Sequence, residues 1–373
     1  MKVLKKKWGL LPTIVIAVLF MTSCSGSAPS ASWPELTVAG GTVYAALTDG
    51  RVHALDADTG SEKWVFPAEV SKPSGLLGCS APKATEGPIY AAPAVSDDLV
   101  YVGSYNSTLY AINTLAGVKQ WEFSTRDRIV AAPVVVGNTV YLASADQHVY
   151  ALDAATGTER WRFSAGNWVW ASPLVDQDSG AMYVATMGHK VYRVRLSDGT
   201  QEWEFTTQGA IAAAPALAGD LLIFGSFDGH VYAVDVTTGK ERWTFQTGGW
   251  VWGTPLAVDG VVYVGSQDHK VYALDAKSGM KLWEFQANGA VRDTLAYGEG
   301  TLYVGSEDKM VYALDAQTGK PKWTFTAEGS ILSPLVLTEK ALYVVTTNGQ
   351  VYALDPVDGG QLWHYPPAEE KSS

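Results

Sequence analysis

Cysteine is almost missing from this chain: Cys24 and Cys79 are the only two in 373 residues. Histidine is also scarce, with six copies. No glycine-rich phosphate loop, G-x-S-x-G elbow or H-E-x-x-H pair occurs, which removes the common sequence signs of nucleotide, acyl-transfer and zinc-protease chemistry. Positive charge is in deficit, with 27 Lys and Arg against 38 Asp and Glu, a formal net charge of −11. The first 23 residues hold four lysines and no acid, so their removal takes the charge to −15. Such an acidic body repels phosphate backbones, and no nucleic-acid partner is expected. Helical periodicity is absent between the apolar runs. Apolar residues nonetheless make up 47% of the chain, ample for a buried core and incompatible with a disordered chain.

What is present is a repeat. The stretch Val271 to Trp283, VYALDAKSGMKLW, reads as a strand, a tight turn and the start of another strand. Its spacing, A-x-D-x-x-S/T-G-x-x-x-W, recurs with tryptophan at Trp64, Trp121, Trp161, Trp203, Trp243, Trp283, Trp323 and Trp363. A glycine precedes each of the eight by four residues, and the intervals are 57, 40, 42, 40, 40, 40 and 40. A fixed period carried by β-type residues marks a repeat architecture. Each unit offers four short strands rich in Tyr, Val, Phe and Trp. In the sixth unit they are expected at Val251–Val258, Val261–Gly265, Val271–Asp275 and Lys281–Phe285. Asp-Gly and Asn-Gly pairs such as Asp228-Gly229 and Asn348-Gly349 suit the hairpin between strands two and three. The prediction is all-β: an eight-bladed β-propeller of four-stranded antiparallel blades, each unit keeping its own strands at ring closure.

The N-terminus has a different character. Lys2, Lys5, Lys6 and Lys7 form a basic region, and Trp8 to Met21 an apolar core. That core falls short of the roughly 20 residues a membrane span needs. It ends in Met21-Thr22-Ser23-Cys24, which resembles a bacterial lipobox, with Met21 where leucine is usual. The resemblance implies that residues 1–23 are a lipoprotein signal peptide and that Cys24 becomes the lipidated N-terminus. An uncleaved anchor with an incidental cysteine is the alternative, and both place the body outside the cytoplasm. Residues 24–32 read as a flexible tether, 33–365 as the propeller and 366–373 as a tail. The long first interval carries 17 extra residues, about 68–83, rich in Pro, Gly and Ser. They read either as a solvent loop or as a lid contacting a partner. Cys79 lies there, unpartnered if Cys24 is lipidated.

The turn motif resembles the tryptophan-docking repeat of quinoprotein-like (PQQ-type) propellers, and the signal, blade count and repeat type together are similar to BamB-like outer-membrane assembly lipoproteins. Tryptophan is never followed by Asp here, unlike in WD40 repeats. The resemblance implies that each tryptophan docks on the neighbouring blade, so that all eight are structural. The motif departs at Asn113 and Ala116 in the second unit and at Arg193, Arg195 and Asp198 in the fourth, where looser turns are expected. Quinoprotein dehydrogenases share the fold, but many of them carry adjacent cysteines beside the quinone and acids with an Asn holding calcium. This chain offers only Asp293 beside Arg292, and a lone neighbouring pair of that kind is ordinarily a loop ion pair. His148, His189, His230 and His269 fall at turns of successive units and fan apart, while a shared ion needs ligands within about 2.0–2.1 Å. The expectation is therefore a non-enzymatic scaffold without metal or cofactor, lipid-anchored, a monomeric ring whose partner is an envelope protein or peptide. A ligand-binding sensor propeller is the alternative.

Comparing the repeats suggests where a partner binds. Nine residues past each tryptophan, allowing for the insertion, stand Trp33, Tyr90, Val130, Trp170, Ala212, Trp252, Arg292 and Leu332. Two residues earlier stand Ala31, Pro88, Arg128, Trp168, Ala210, Trp250, Ala290 and Ser330. Positions that serve only packing should look alike from unit to unit, and these do not. Residues i and i+2 of an extended segment point the same way. Trp168 with Trp170, Trp250 with Trp252, and Tyr90, Arg128 and Arg292 are thus expected to form an aromatic rim at the channel mouth. The competing expectation is that these aromatics only plug the channel.

Overall fold

Each repeat folds as four antiparallel strands in chain order, giving eight four-stranded sheets. The computed structural model describes residues 34–67, 88–89, 91–292 and 295–367. The chain divides after Ala31, and the description concerns the unit that follows. The signal segment, Cys24, the tether, Trp33, the whole 68–83 insertion with Cys79, Tyr90, Asp293 and the last six residues lie outside the described residues. The first blade has strands Glu35–Ala39, Thr42–Ala46, Val52–Asp56 and Glu62–Phe66. The last has Val336–Leu337, Leu342–Val345, Val351–Leu354 and Gln361–Tyr365. Every strand stays in its own blade, so the chain forms an eight-bladed propeller without strand exchange.

Burial follows from position in the ring. Second and third strands are covered on both faces, because each blade is sandwiched between two others, and they read as unbroken Val, Tyr, Ala and Leu. Fourth strands alternate exposed and half-buried residues, as an outer edge does. The buried apolar residues form eight clusters, one at each seam between neighbouring blades.

The repeated motif accounts for those seams atom by atom. Asp56 Oδ1 accepts from Thr59 N at 3.0 Å and from Thr59 Oγ1 at 2.9 Å, which shapes the turn. A bulge after Ala54 then sets that small residue opposite Trp64. Trp64 Nε1 donates to the carbonyl of Thr114 in the next blade at 2.8 Å. Its ring lies on Gly117, where an added Cβ would come within 2.8 Å of the indole and where φ is +65°. Glycine is needed there twice over, for the left-handed backbone and for the close approach. All eight tryptophans make the equivalent bond to the following blade, ending with Trp363 Nε1 to Ala57 O at 2.9 Å.

Two details differ from the sequence reading. The first strand of the sixth blade spans Leu256–Val258, not Val251–Val258. Residues ahead of it bond in two directions: Val251 N donates to Ser226 O of the preceding blade at 3.1 Å, and Trp250 O accepts from Gln267 N at 2.9 Å. A segment that stitches two blades cannot also run as a ladder strand of one. The second-unit turn is also better held than its departure from the motif suggested. Asn113 Oδ1 accepts from Leu115 N at 3.1 Å and from Ala116 N at 2.9 Å, so asparagine caps the turn as aspartate does elsewhere.

A candidate partner-binding mouth

The loops that lead into blades two to eight share one chemical feature, a β-branched residue driven into the core, Ile89 in the second blade and its counterparts after it. Ile129, Val169, Ile211, Val251, Val291 and Ile331 are at most 1% exposed. A glycine on the second strand makes room where one is present: a Cβ on Gly225 would lie 2.1 Å from Val251, and one on Gly305 2.4 Å from Ile331. With that residue turned inward, its two neighbours must turn toward the axis. Val130, Trp170, Ala212, Trp252, Arg292 and Leu332 accordingly line one central cavity of about 270 Å³, together with Glu35, Ser172 and Thr254.

The mouth is not evenly furnished. Trp168 and Trp170 stack with centroids 5.7 Å apart and planes within 4°. The guanidinium of Arg128 lies 5.7 Å and 5.8 Å from those two rings, within cation–π range. Trp250 stacks on Phe227 at 5.2 Å, and Phe227 meets Trp252 at 4.7 Å. Arg292 lies 5.9 Å over Trp252 and is ion-paired with Glu307. Ala210 and Ala212 of the fifth blade separate the two aromatic groups. Trp168 and Trp250 stand outermost, 42% and 53% exposed. Trp170 Nε1 is buried and finds no hydrogen-bond partner among the described residues.

The structure thus gathers Trp168, Trp170 and Arg128 on one side and Trp250, Trp252 and Arg292 on the other, while Tyr90 lies outside the described residues. Phe227 was missed in the sequence. It sits on the turn between second and third strands, at a position that also varies as Tyr105, Ala145, Met187, Gln267, Glu307 and Thr347. Each of these donates its N–H to a leading-loop carbonyl, as Phe227 N does to Ala210 O at 2.9 Å. Two unlike series of residues therefore meet at the mouth, and repeat comparison would have found the second as well as the first.

Charge adds to the asymmetry. Seven of the nine arginines pair with a carboxylate. Arg126 and Arg128, on the loop that sets Arg128 against Trp168 and Trp170, have no such pair among the described residues. Two histidines of the turns bond within their own blades: His148 Nδ1 lies 2.9 Å from Asp146 O, and His230 Nδ1 3.2 Å from Asp228 O. Among the described residues no group of three or more His, Cys, Asp or Glu side chains is arranged to hold a metal ion.

Comparison with known proteins gives the geometry a context. A sequence model of the family described as outer membrane protein assembly factor BamB matches residues 17–91, 72–204, 189–294 and 267–373. The crystal structure of BamB from Moraxella catarrhalis superposes with a TM-score of 0.69 at 19% identity, covering 85% of this chain and 94% of that one. The computationally designed Ika8 protein superposes with a TM-score of 0.74 at 17% identity, covering 88% and 97%. Both likenesses concern the fold. The serine/threonine-protein kinase AfsK of Streptomyces griseus is 32% identical over an alignment of 122 residues, which takes in 24% of this chain and 15% of the kinase.

Proposed function

The chain belongs to the family described as outer membrane protein assembly factor BamB, and from that membership we propose a non-enzymatic scaffold, lipid-anchored through Cys24, that holds an envelope protein or peptide. In a two-membrane source the anchor is in the outer membrane and the role is that of a β-barrel assembly factor; otherwise it is on the outer face of the cytoplasmic membrane. One observation carries the reading: two tryptophans, Trp168 and Trp250, stand about half exposed at the mouth of a central cavity, each stacked on a second aromatic, with Arg128 over Trp168 and Arg292 over the neighbouring Trp252. Trp and Arg dominate interface hot spots, and aromatics held rigidly in place lose little freedom on binding. The two arginines without a carboxylate favour a partner segment that brings acid beside its apolar side chain.

The test is the double change Trp168→Ala and Trp250→Ala, read by in-cell cross-linked capture and by melting temperature. Loss of the captured partner at a near-normal melting temperature is expected. Intact capture, or a large fall in stability, would assign these rings to packing instead. The sensor reading has its own support in the cavity of about 270 Å³ between Trp170 and Trp252, a volume suited to a small ligand. A compound that raises the melting temperature of wild type, and not of Trp170→Ala, would favour it.

A further inference from the structure

Seven of the eight seams are closed by an aromatic pair of one kind. A phenylalanine two residues past the docking tryptophan meets a tyrosine on the third strand of the next blade, as Phe66 meets Tyr110 and Phe325 meets Tyr352. Where the last blade meets the first, the phenylalanine is replaced by Tyr365 and the tyrosine by His53, centroids 5.6 Å apart. In four other blades the third-strand tyrosine donates to the aspartate of its turn, for example Tyr150 to Asp146 Oδ2 at 2.7 Å. His53 takes over that bond, with Nε2 3.0 Å from Asp49 Oδ2. Its other nitrogen lies 2.9 Å from Glu62 Oε2, and Glu62 in turn accepts from Tyr365 O–H at 2.6 Å. The imidazole is 8% exposed.

This arrangement specifies a protonation state. A neutral imidazole has one N–H and would leave one carboxylate facing a lone pair; the imidazolium donates to both. The geometry points to a pH-dependent latch: the last and first blades are held together by a charged His53 between Asp49 and Glu62, and this seam alone loosens when that proton leaves. Among the described residues, Asp49 and Arg51 on the turn, Glu62 on the fourth strand and Tyr365 from the last blade are the charged and titratable groups that face it. Burial pushes the imidazole down, and Asp49 and Glu62 push it up by more, leaving it above its ordinary value. Burial likewise raises Asp49 and Glu62, but their hydrogen bonds, with His53 and with Tyr365 and His53 respectively, bring both below the usual range.

The signs follow by linkage. A raised imidazole contributes its full stabilisation below its unfolded value, about 6.5, and loses it as pH climbs through the higher folded value. The lowered carboxylates contribute above their unfolded values, about 4, and lose it as pH falls through the lower folded ones. The seam is therefore tightest in mildly acidic solution and slackens on the alkaline side. At three of the other seams an imidazole lies beside the tyrosine, His148 by Tyr150, His230 by Tyr232 and His364 by Tyr352, but among the described residues none of them is set between two carboxylates. The inference concerns ring closure and stands whether or not the mouth binds a partner.

Hydrogen exchange of the full chain, corrected for the intrinsic pH dependence of exchange, tests it between pH 6 and 9.5. Protection of residues 52–66 and 361–365 should fall by about tenfold, of the order of one charge-assisted hydrogen bond, while blades 4 to 6 hold steady. The double variant His53→Tyr with Tyr365→Phe installs the pair found at the other seams and should abolish the fall. Glu62→Gln, which keeps shape and removes one charge, should move the fall to lower pH. Parallel loss of protection in all blades, a flat wild-type profile, or an unshifted fall in Glu62→Gln would overturn the latch.

Discussion

At the scale of single residues the ring rests on an indole and a glycine that meet across each seam. Trp283 lies on Gly319, where an added Cβ would sit 2.7 Å from the ring and φ is +71°. Trp283→Ala should cost about 3–5 kcal/mol by opening a gap between blades. Gly319→Ala should be destabilising for two reasons, the left-handed backbone at about 1–2 kcal/mol and the clash with the indole. Combining the two removes the clash and leaves the backbone term, so the double variant should be more stable than the sum of the singles predicts. Urea unfolding of the four proteins checks this, and strict additivity would mean that indole and glycine do not interact. The fourth blade shows how one residue can displace another. Arg193 Nη1 donates to Val236 O at 3.0 Å, the carbonyl that corresponds to the one Tyr101 and Tyr263 reach in their neighbours. Tyr183 O–H is left buried without a partner among the described residues.

The strand–turn–strand element was the most legible part of the chain, because each motif residue has a local or next-blade reason and its glycine and tryptophan recur in all eight units. Its second copy can be improved. Asn113 already caps the turn, and the missing hydroxyl at Ala116 would bond the same oxygen, as Thr59 and Thr156 bond theirs. Ala116→Thr should add about 0.5–1 kcal/mol and raise the melting temperature by about 1–2 °C; a fall on scanning calorimetry would contradict the assignment. The leading loops were legible only in part. W-V-W alternation looks like a ladder strand, and nothing in 251–255 reveals that Val251 bonds the blade before. Phe227 escaped because it lies on another turn, some two dozen residues from the tryptophans it touches. His53 and Tyr365 are 312 positions apart and become neighbours only through closure.

For the molecule as a whole, the anchor is the property most distant from the fold. Cys24→Ala should give a full-length or aberrantly processed chain without N-terminal lipid, followed by labelled fatty acid. Failure of the wild type to take up label would remove the lipoprotein reading, whereas membrane retention alone would not decide it, since an uncleaved signal also anchors.

The indole bonds all run one way round the ring, from each blade to the blade made after it. On the ribosome, then, every finished blade presents the same leading edge, an indole N–H awaiting a carbonyl not yet synthesised. Throughout elongation one other vacancy persists at the far end, the carbonyl of Ala57 and the bare face of Gly60. Only Trp363, on the outer strand of the last blade, fills it. Until Trp363 emerges the chain is an open arc with two complementary ends, and no earlier residue can join them.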